Sequence, residues 1–359
     1  LTVTDENGLS GTEIKTGYIS ALAPGMGLYT LEGHVFLADS LETGGTHEDV
    51  LVTFYNLPSM DMEVFGSSDT AGYYSFSVDP GYYLVTWTKD GYVPWELGGL
   101  ALAADTTLAD VTLIPGAVQE VSGTINTTTW TTGYVYWVMG DITVPAGETL
   151  TINAGVRVKF SDGTGLTCNG TLIANGTADD HVLFTSREPT PVPGDWTNIV
   201  LNGENNVLSY VDYEWADDGF TGDGANGSTF DHLTMVGSLS LDANGIYLTN
   251  SSNMTFTNNE ITVSGNELLY CSEAANSTFT GNVLTGTGRG IYANNAAGST
   301  ISNNEVNTSG SDGFEMDYCH DCLFDNNIIS NRPNDGFRVR NSNNATFTNN
   351  TLEVSQFGF

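Results

Sequence analysis

From residue 245 onward, apolar and polar positions recur every 22 or 23 residues. An apolar residue set between small polar ones appears at Phe256, Phe279, Ile301, Phe324 and Phe347. Three positions after each stands an asparagine: Asn259, Asn282, Asn304, Asn327 and Asn350. A second apolar ladder runs through Ile246, Leu269, Ile291, Phe314 and Phe337, with Leu248, Cys271, Ala293, Met316 and Val339 two residues on. Within a unit the alternation has the period of a strand, so Ile246 and Leu248 point one way and Tyr247 and Thr249 the other. Short strands at a fixed period, parted by Gly, Asn and Ser turns, predict a β-solenoid. A unit of this length suits one coil of a right-handed parallel β-helix, with equivalent residues stacked about 4.8 Å apart. The asparagine ladder then marks a tight corner. Asparagine tolerates left-handed backbone there, and stacked amides hydrogen-bond from coil to coil.

Upstream the pattern changes. Residues 31–115 carry shorter apolar runs, near LEGHVFLA, DVLVTFYNL, GYYSFSV, GYYLVTWTKDG and LADVTLI, divided by Gly/Pro/Asp turns. They predict a small antiparallel β-sandwich. Residues 116–126 read as a linker, and 127–359 as the β-helix. Residues 1–30 have no clear period and read as a linker, a tether or a donated strand. The fold class is thus all-β throughout.

Two resemblances follow from these runs. The segment LEGHVFLAD…DVLVTFYN…SSDTAGYYSFSVDPGYYLVTWTKDGYVP resembles the carboxypeptidase-regulatory-like or Cna-B-like domains over roughly 85 residues. It departs from their usual order in having Asp69-Thr70. That likeness implies a spacer or presentation module. The run VMGDITVPAGETLTINAGV and the later GDW at Gly194 to Trp196 resemble the first coils of secreted right-handed β-helix proteins of the pectate-lyase-like and NosD-like superfamily. The superfamily includes lyases, hydrolases, epimerases, adhesins and surface-layer proteins, so the likeness speaks to fold more than to function.

Charge narrows the partners. Nine Lys+Arg against 43 Asp+Glu leave a formal charge of −34, which repels nucleic acid and anionic lipid and recruits cations. Calcium is the expected cofactor if there is one. The loop from Asp217 to Gly227 holds Asp217, Asp218 and Asp223 among glycines, hard oxygen ligands on permissive backbone, without EF-hand spacing. No apolar run reaches the length of about 18 that a membrane span needs. The chain begins at Leu1, and it is expected to be extracellular or at the cell surface with its signal peptide removed. Asn126, Asn169, Asn175, Asn226, Asn250, Asn253, Asn276, Asn307, Asn344 and Asn349 satisfy the N-glycosylation rule. Cys319 and Cys322 are the only close cysteine pair, open to three readings: a local disulfide, two packed thiols, or half of a metal site. Cys271 falls in the inward ladder as a small hydrophobe.

Aligning the coils sets Tyr247, Tyr270, Tyr292, Glu315 and Arg338 in one outward file. Thr249, Ser272, Asn294, Asp317 and Arg340 form the next. Glu315 is then expected to stack on Arg338, and Asp317 on Arg340. This face offers a candidate acid pair, Glu315 and Asp317, beside a tyrosine track for sugar rings. No lysine and no clustered aspartates over adjacent coils accompany it, and arginine makes a poor base. Two function classes therefore stand. One is a structural or adhesive subunit of a surface layer, sheath or filament. It would self-associate through the N-terminal segment or the end at Phe357-Gly358-Phe359, where another coil begins without a cap. The other is a polysaccharide-active enzyme or a glycan-binding module on the β-helix face.

Overall fold

The computed structural model describes residues 2–4, 10–12, 28–57, 59–188, 191–236, 239–241, 243–332 and 335–354. By contact it divides into two compact units. The first reaches to Lys89 and includes Pro94–Leu113; the second joins Asp90–Val93 to the chain from Ile114 onward.

The first unit contains two four-stranded sheets. One holds Tyr29–Leu37, Tyr73–Val78, Thr106–Thr107 and Val111–Leu113; the other holds Leu51–Asn56, Asp61–Ser67, Gly81–Thr88 and Trp95–Leu102. They pack as a sandwich through their inward residues. Phe54 of one sheet meets Phe76 of the other at 5.3 Å, and Tyr74 meets Trp87 at 6.2 Å. The expected all-antiparallel pairing is corrected in one respect. Val111–Leu113 and Thr106–Thr107 run parallel to Tyr29–Leu37, because the chain crosses back to the first sheet after completing the second. Asp61–Ser67 and Trp95–Leu102, both unread in the sequence, are the two edge strands of their sheet. Edge strands bury little, so Met62, Phe65, Trp95 and Leu97 lie exposed and no clean alternation marks them. Thr2–Thr4 and Ser10–Thr12 pair antiparallel, Tyr29 and Thr30 begin the first long strand, and residues 1, 5–9 and 13–27 lie outside the described residues.

The second unit is one continuous sheet of 27 strands wound into a solenoid. Ala117–Thr124, read as a linker, is its first strand, paired in parallel with Tyr134–Val144. In the regular part each coil has three strands, for example Glu267–Ser272, Thr278–Thr280 and Val283–Gly286. Each strand pairs in parallel with its equivalent one coil away: Ile246 opposite Leu269, Phe256 opposite Phe279, Ile261 opposite Leu284. Both apolar ladders are fully buried from Ile246 to Phe324. The phenylalanines stack face to face, Phe256 on Phe279 at 5.0 Å and Phe324 on Phe347 at 4.6 Å.

The asparagine ladder forms as expected, with a correction to its cause. From Asn282 onward each ladder Oδ1 accepts two bonds from the ladder asparagine of the coil before it. Asn304 Oδ1, for instance, takes Asn282 Nδ2 at 2.8 Å and Asn282 N at 3.0 Å. Each Nδ2 also donates to a backbone carbonyl, as Asn304 does to Phe279 at 2.8 Å. The left-handed backbone, however, lies one residue earlier, at Asn258, Gly281, Asn303, Asn326 and Asn349. The turn is made by that residue, and the ladder asparagine supplies the hydrogen bonds.

Cys319 and Cys322 form a disulfide across the corner before Leu323–Asp325, with both residues buried. Cys168 and Cys271 are free and buried. Closing so short a loop removes little disorder from the unfolded chain. Replacing both Cys319 and Cys322 by alanine is expected to cost about 2 kcal/mol. Thermal melts with and without reductant check this, and a loss of several times that size would show that the bridge also holds packing between coils.

Candidate functional site

The lateral groove lies where each third strand turns back into the next first strand. Three successive turns build it: Ser264-Gly265-Asn266, Thr287-Gly288 and Gly310-Ser311-Asp312. These turns stack at main-chain contact, and two glycines make that possible. A Cβ on Gly288 would stand 2.3 Å from the Gly265 carbonyl oxygen, and one on Gly310 would stand 1.9 Å from that of Thr287. Thr287 Oγ1 ties its turn to the one below by donating to Ser264 O at 2.6 Å. The groove encloses about 430 Å³, with hydroxyls, an amide, peptide groups, Arg289, Asp312, Glu315 and Arg338 along its walls.

The charged residues form a chain of five and a separate pair. Glu267 and Arg289 pair in register between adjacent coils, and Arg289 Nη2 meets Glu267 Oε1 at 2.6 Å. The same guanidinium reaches Glu315 Oε2 through Nη1 at 2.9 Å. Glu315 Oε1 is held by Arg340 Nη2 at 2.6 Å, and Arg340 also lies 3.7 Å from Asp317 Oδ2. Arg338 Nη1 meets Asp312 Oδ2 at 3.3 Å. The three acids Glu267, Asp312 and Glu315 are buried. Burial pushes Glu267 up to about 7, against the pull of Arg289, and its Oε2 has no hydrogen-bond partner. Burial alone would lower Arg289, but its hydrogen bond to Glu315 and the charges of Glu267 and Glu315 hold it above its ordinary value. The hydrogen bond to Asp312 likewise raises Arg338.

The expected pairing is thus partly corrected. Glu315 does stand opposite Arg338, and Asp317 opposite Arg340. Yet Glu315 bonds diagonally, to Arg289 and Arg340, and Arg338 turns instead to Asp312. A long guanidinium reaches the neighbouring file as easily as its own. Both Glu315 oxygens are already taken, while Asp312 lies buried and needs a cation. Glu267 and Arg289 were missed, and Asp312 reads from the sequence only as a weak cation site. Their signal was available: each sits three residues before Tyr270, Tyr292 or Glu315.

The tyrosine track forms, with its rings packed against one another. Tyr247 stacks on Tyr270 at 4.4 Å and 19°, Tyr270 meets Tyr292 edgewise at 4.9 Å, and Arg289 lies over Tyr292 at 4.4 Å.

The three aspartates of the proposed calcium loop do not converge. Asp217 Oδ1 accepts from Ser240 Oγ at 2.9 Å, Asp218 Oδ1 from the amides of Gly219 and Asn244, and Asp223 Oδ1 from Thr249 Oγ1 and Asn250 Nδ2. Among the described residues no group of three or more His, Cys, Asp or Glu side chains is placed to hold a metal ion. Each carboxylate serves a neighbouring turn instead, as the short Asp and Asn side chains of corners usually do. None of the ten sequon asparagines is buried. Asn250, Asn344 and Asn349 donate through Nδ2 to Asp223, Asp321 and Asp325. No helix among the described residues is long and apolar enough to cross a membrane.

Comparison with known proteins agrees with this architecture. Residues 218–359 match the model of the right handed beta helix region, and residues 123–229 match that of the pectate-lyase like beta helix domain. The solenoid is a right-handed parallel β-helix. No curated protein matches the chain. Among solved structures, the A-module of a mannuronan C-5 epimerase from Azotobacter vinelandii is 15% identical, with 68% of this chain and 85% of that one covered and a TM-score of 0.32. The catalytic domain of an alpha-1,3-glucanase in complex with tetrasaccharides is 11% identical, with 83% and 62% covered and a TM-score of 0.31. A cohesin–X-dockerin complex from Acetivibrio cellulolyticus is 19% identical over 24% of this chain, with a TM-score of 0.20, and this chain spans 58% of that one. All three scores are below 0.5, and no activity is carried over from them.

Proposed function

We propose that this chain is an adhesive, non-catalytic glycan-binding protein of the cell exterior, with a polysaccharide held along the corner groove of the β-helix. The observation that carries the reading is the groove wall. Ser264, Asn266, Thr287 and Ser311 alternate with peptide groups around about 430 Å³, a lining that suits a polyhydroxylated ligand. Retention is favoured over turnover because the groove's carboxylates are engaged. Both oxygens of Glu315 are held by guanidiniums, one oxygen of Glu267 is bound by Arg289, and its other oxygen is enclosed. A general acid or base must instead reach the proton it transfers. The corner disulfide supports an oxidising, extracellular setting.

The test is retention of the full chain on a panel of immobilised polysaccharides, alongside an assay for new reducing ends and for unsaturated products. Binding without product is the expected result. Release of product would replace the adhesive reading with an enzymatic one, and failure to bind any polysaccharide would remove both.

A further inference from the structure

The groove is layered by charge. Its acids, Asp312 and Glu315, are only 4% and 6% exposed, and Glu267, bonded to Arg289 outside the lining, is 6% exposed. Its cations are more open, at 30% for Arg289 and 45% for Arg338, and Arg340, bonded to Glu315 outside the lining, stands at 42%. These three arginines are a third of all Lys and Arg in a chain of charge −34. Elsewhere a ligand meets mainly carboxylates; here it meets guanidiniums whose counter-charges lie beneath them. Arg338 is the most open: among the described residues its single ion pair is the one to Asp312, through Nη1. A guanidinium carries five donors in a fixed fork, so Arg338 keeps an outward edge for another anion.

We propose that the groove selects an anionic polysaccharide, bearing carboxylate or sulfate groups, through its two lining guanidiniums, Arg338 and Arg289. This rests on the glycan-binding reading above. Planar guanidinium edges match both carboxylate and sulfate oxygens, and the neutral walls take the sugar hydroxyls between them. The acidic remainder of the chain does not prevent the approach. At physiological salt, charges farther than about 8 Å from the ligand are screened, while contacts within the groove are not. The buried acids have a positioning role: they hold the guanidiniums in place at the groove mouth.

Titration calorimetry of the full chain against polygalacturonate, chondroitin sulfate and neutral dextran, all in chelator to exclude calcium bridging, tests this. Binding of either acidic polymer is expected, without binding of dextran, and which acidic polymer binds distinguishes uronate from sulfate. Affinity should fall as salt is raised. Arg338→Gln should weaken binding at least tenfold at a temperature where circular dichroism shows the variant still folded, although its melting temperature falls because Asp312 loses its cation, and Arg338→Lys should recover part of the loss. Dextran bound as tightly as the acidic chains, or an unchanged affinity in Arg338→Gln, overturns the anionic selectivity while leaving a glycan-binding groove. Failure of all three polymers, with the neutral and acidic members of the wider panel also unbound, overturns the glycan reading itself.

Discussion

Asn304→Ala is expected to destabilise the coils on either side of it by about 3–5 kcal/mol. The change deletes an acceptor serving Asn282 N and Nδ2, and a donor serving Phe279 O and Asn327 Oδ1. Asn282 and Asn327 are fully buried, so water cannot replace what is lost. Each stranded buried polar group costs about 1–3 kcal/mol, and local relaxation recovers part of the sum. Asn350→Ala is the natural contrast. Asn350 makes the same kind of bonds to Asn327 and Phe324 at a half-buried position, where solvent can substitute. Its cost is expected to be about 1 kcal/mol. A solenoid opens coil by coil, so a single melting midpoint is a poor measure. Amide hydrogen exchange at Phe279–Thr280 and Ile301–Ser302 reads the effect where it falls. Equal protection in the two variants would mean that the stacked aromatics, not the amides, hold the corner.

The contrast between ladder and turn explains what could be read from the sequence. Repeating inward residues such as Phe256, Phe279 and Ile301 recur because stacking demands the same shape at the same place in every coil, so their period survives in the chain. The same demand made the asparagines visible. The left-handed residue before each of them was harder to assign, because Asn258 and Asn303 adjoin the ladder asparagines and Gly281 breaks the run. Edge strands of the sandwich were missed for the opposite reason. Asp61–Ser67 pairs with a strand on one side only, and little burial imposes alternation on it.

The groove was half legible. Glu315 stood out because it interrupts a file of tyrosines and Asp317 because it follows Asn294 in the next file, and their cross-coil neighbours Arg338 and Arg340 were assigned correctly. The file that completes the site, Glu267, Arg289 and Asp312, lies at the edge of a glycine-rich turn. There the strand period lapses, and the residues look like ordinary loop charges. Which acid takes which arginine is decided by side-chain reach and by burial, and neither is written in spacing. The calcium loop shows the converse. Three aspartates within seven residues share no centre, because successive residues of a solenoid coil point to different places along and around its axis.

Glu267→Gln is expected to make the β-helix more stable at pH 8 and to leave it nearly unchanged at pH 4. Burial raises the folded carboxyl from 4.5 to about 7. Below the lower value it is protonated in both folded and unfolded chains, and its contribution to stability is fully present. Between the two values the unfolded chain releases the proton while the folded one keeps it, so stability falls as pH rises. Above 7 the loss is complete, on the order of 3 kcal/mol. Glutamine reproduces the neutral form at every pH, so the difference between variant and parent should open between pH 4.5 and 7 and then level off. Hydrogen exchange across Glu267–Ser272, measured at both pH extremes, follows it. Arg289→Met provides the opposing case, because it strands Glu267 and Glu315 without their shared cation. At pH 8 it should cost about 3–5 kcal/mol, part of which returns on acidification as Glu267 takes up its proton. If Glu267→Gln instead weakens the protein at pH 8, the 2.6 Å bond to Arg289 outweighs the burial of the charge. The ionised Glu267 would then be a net support of Arg289 and not a cost borne to hold it in place.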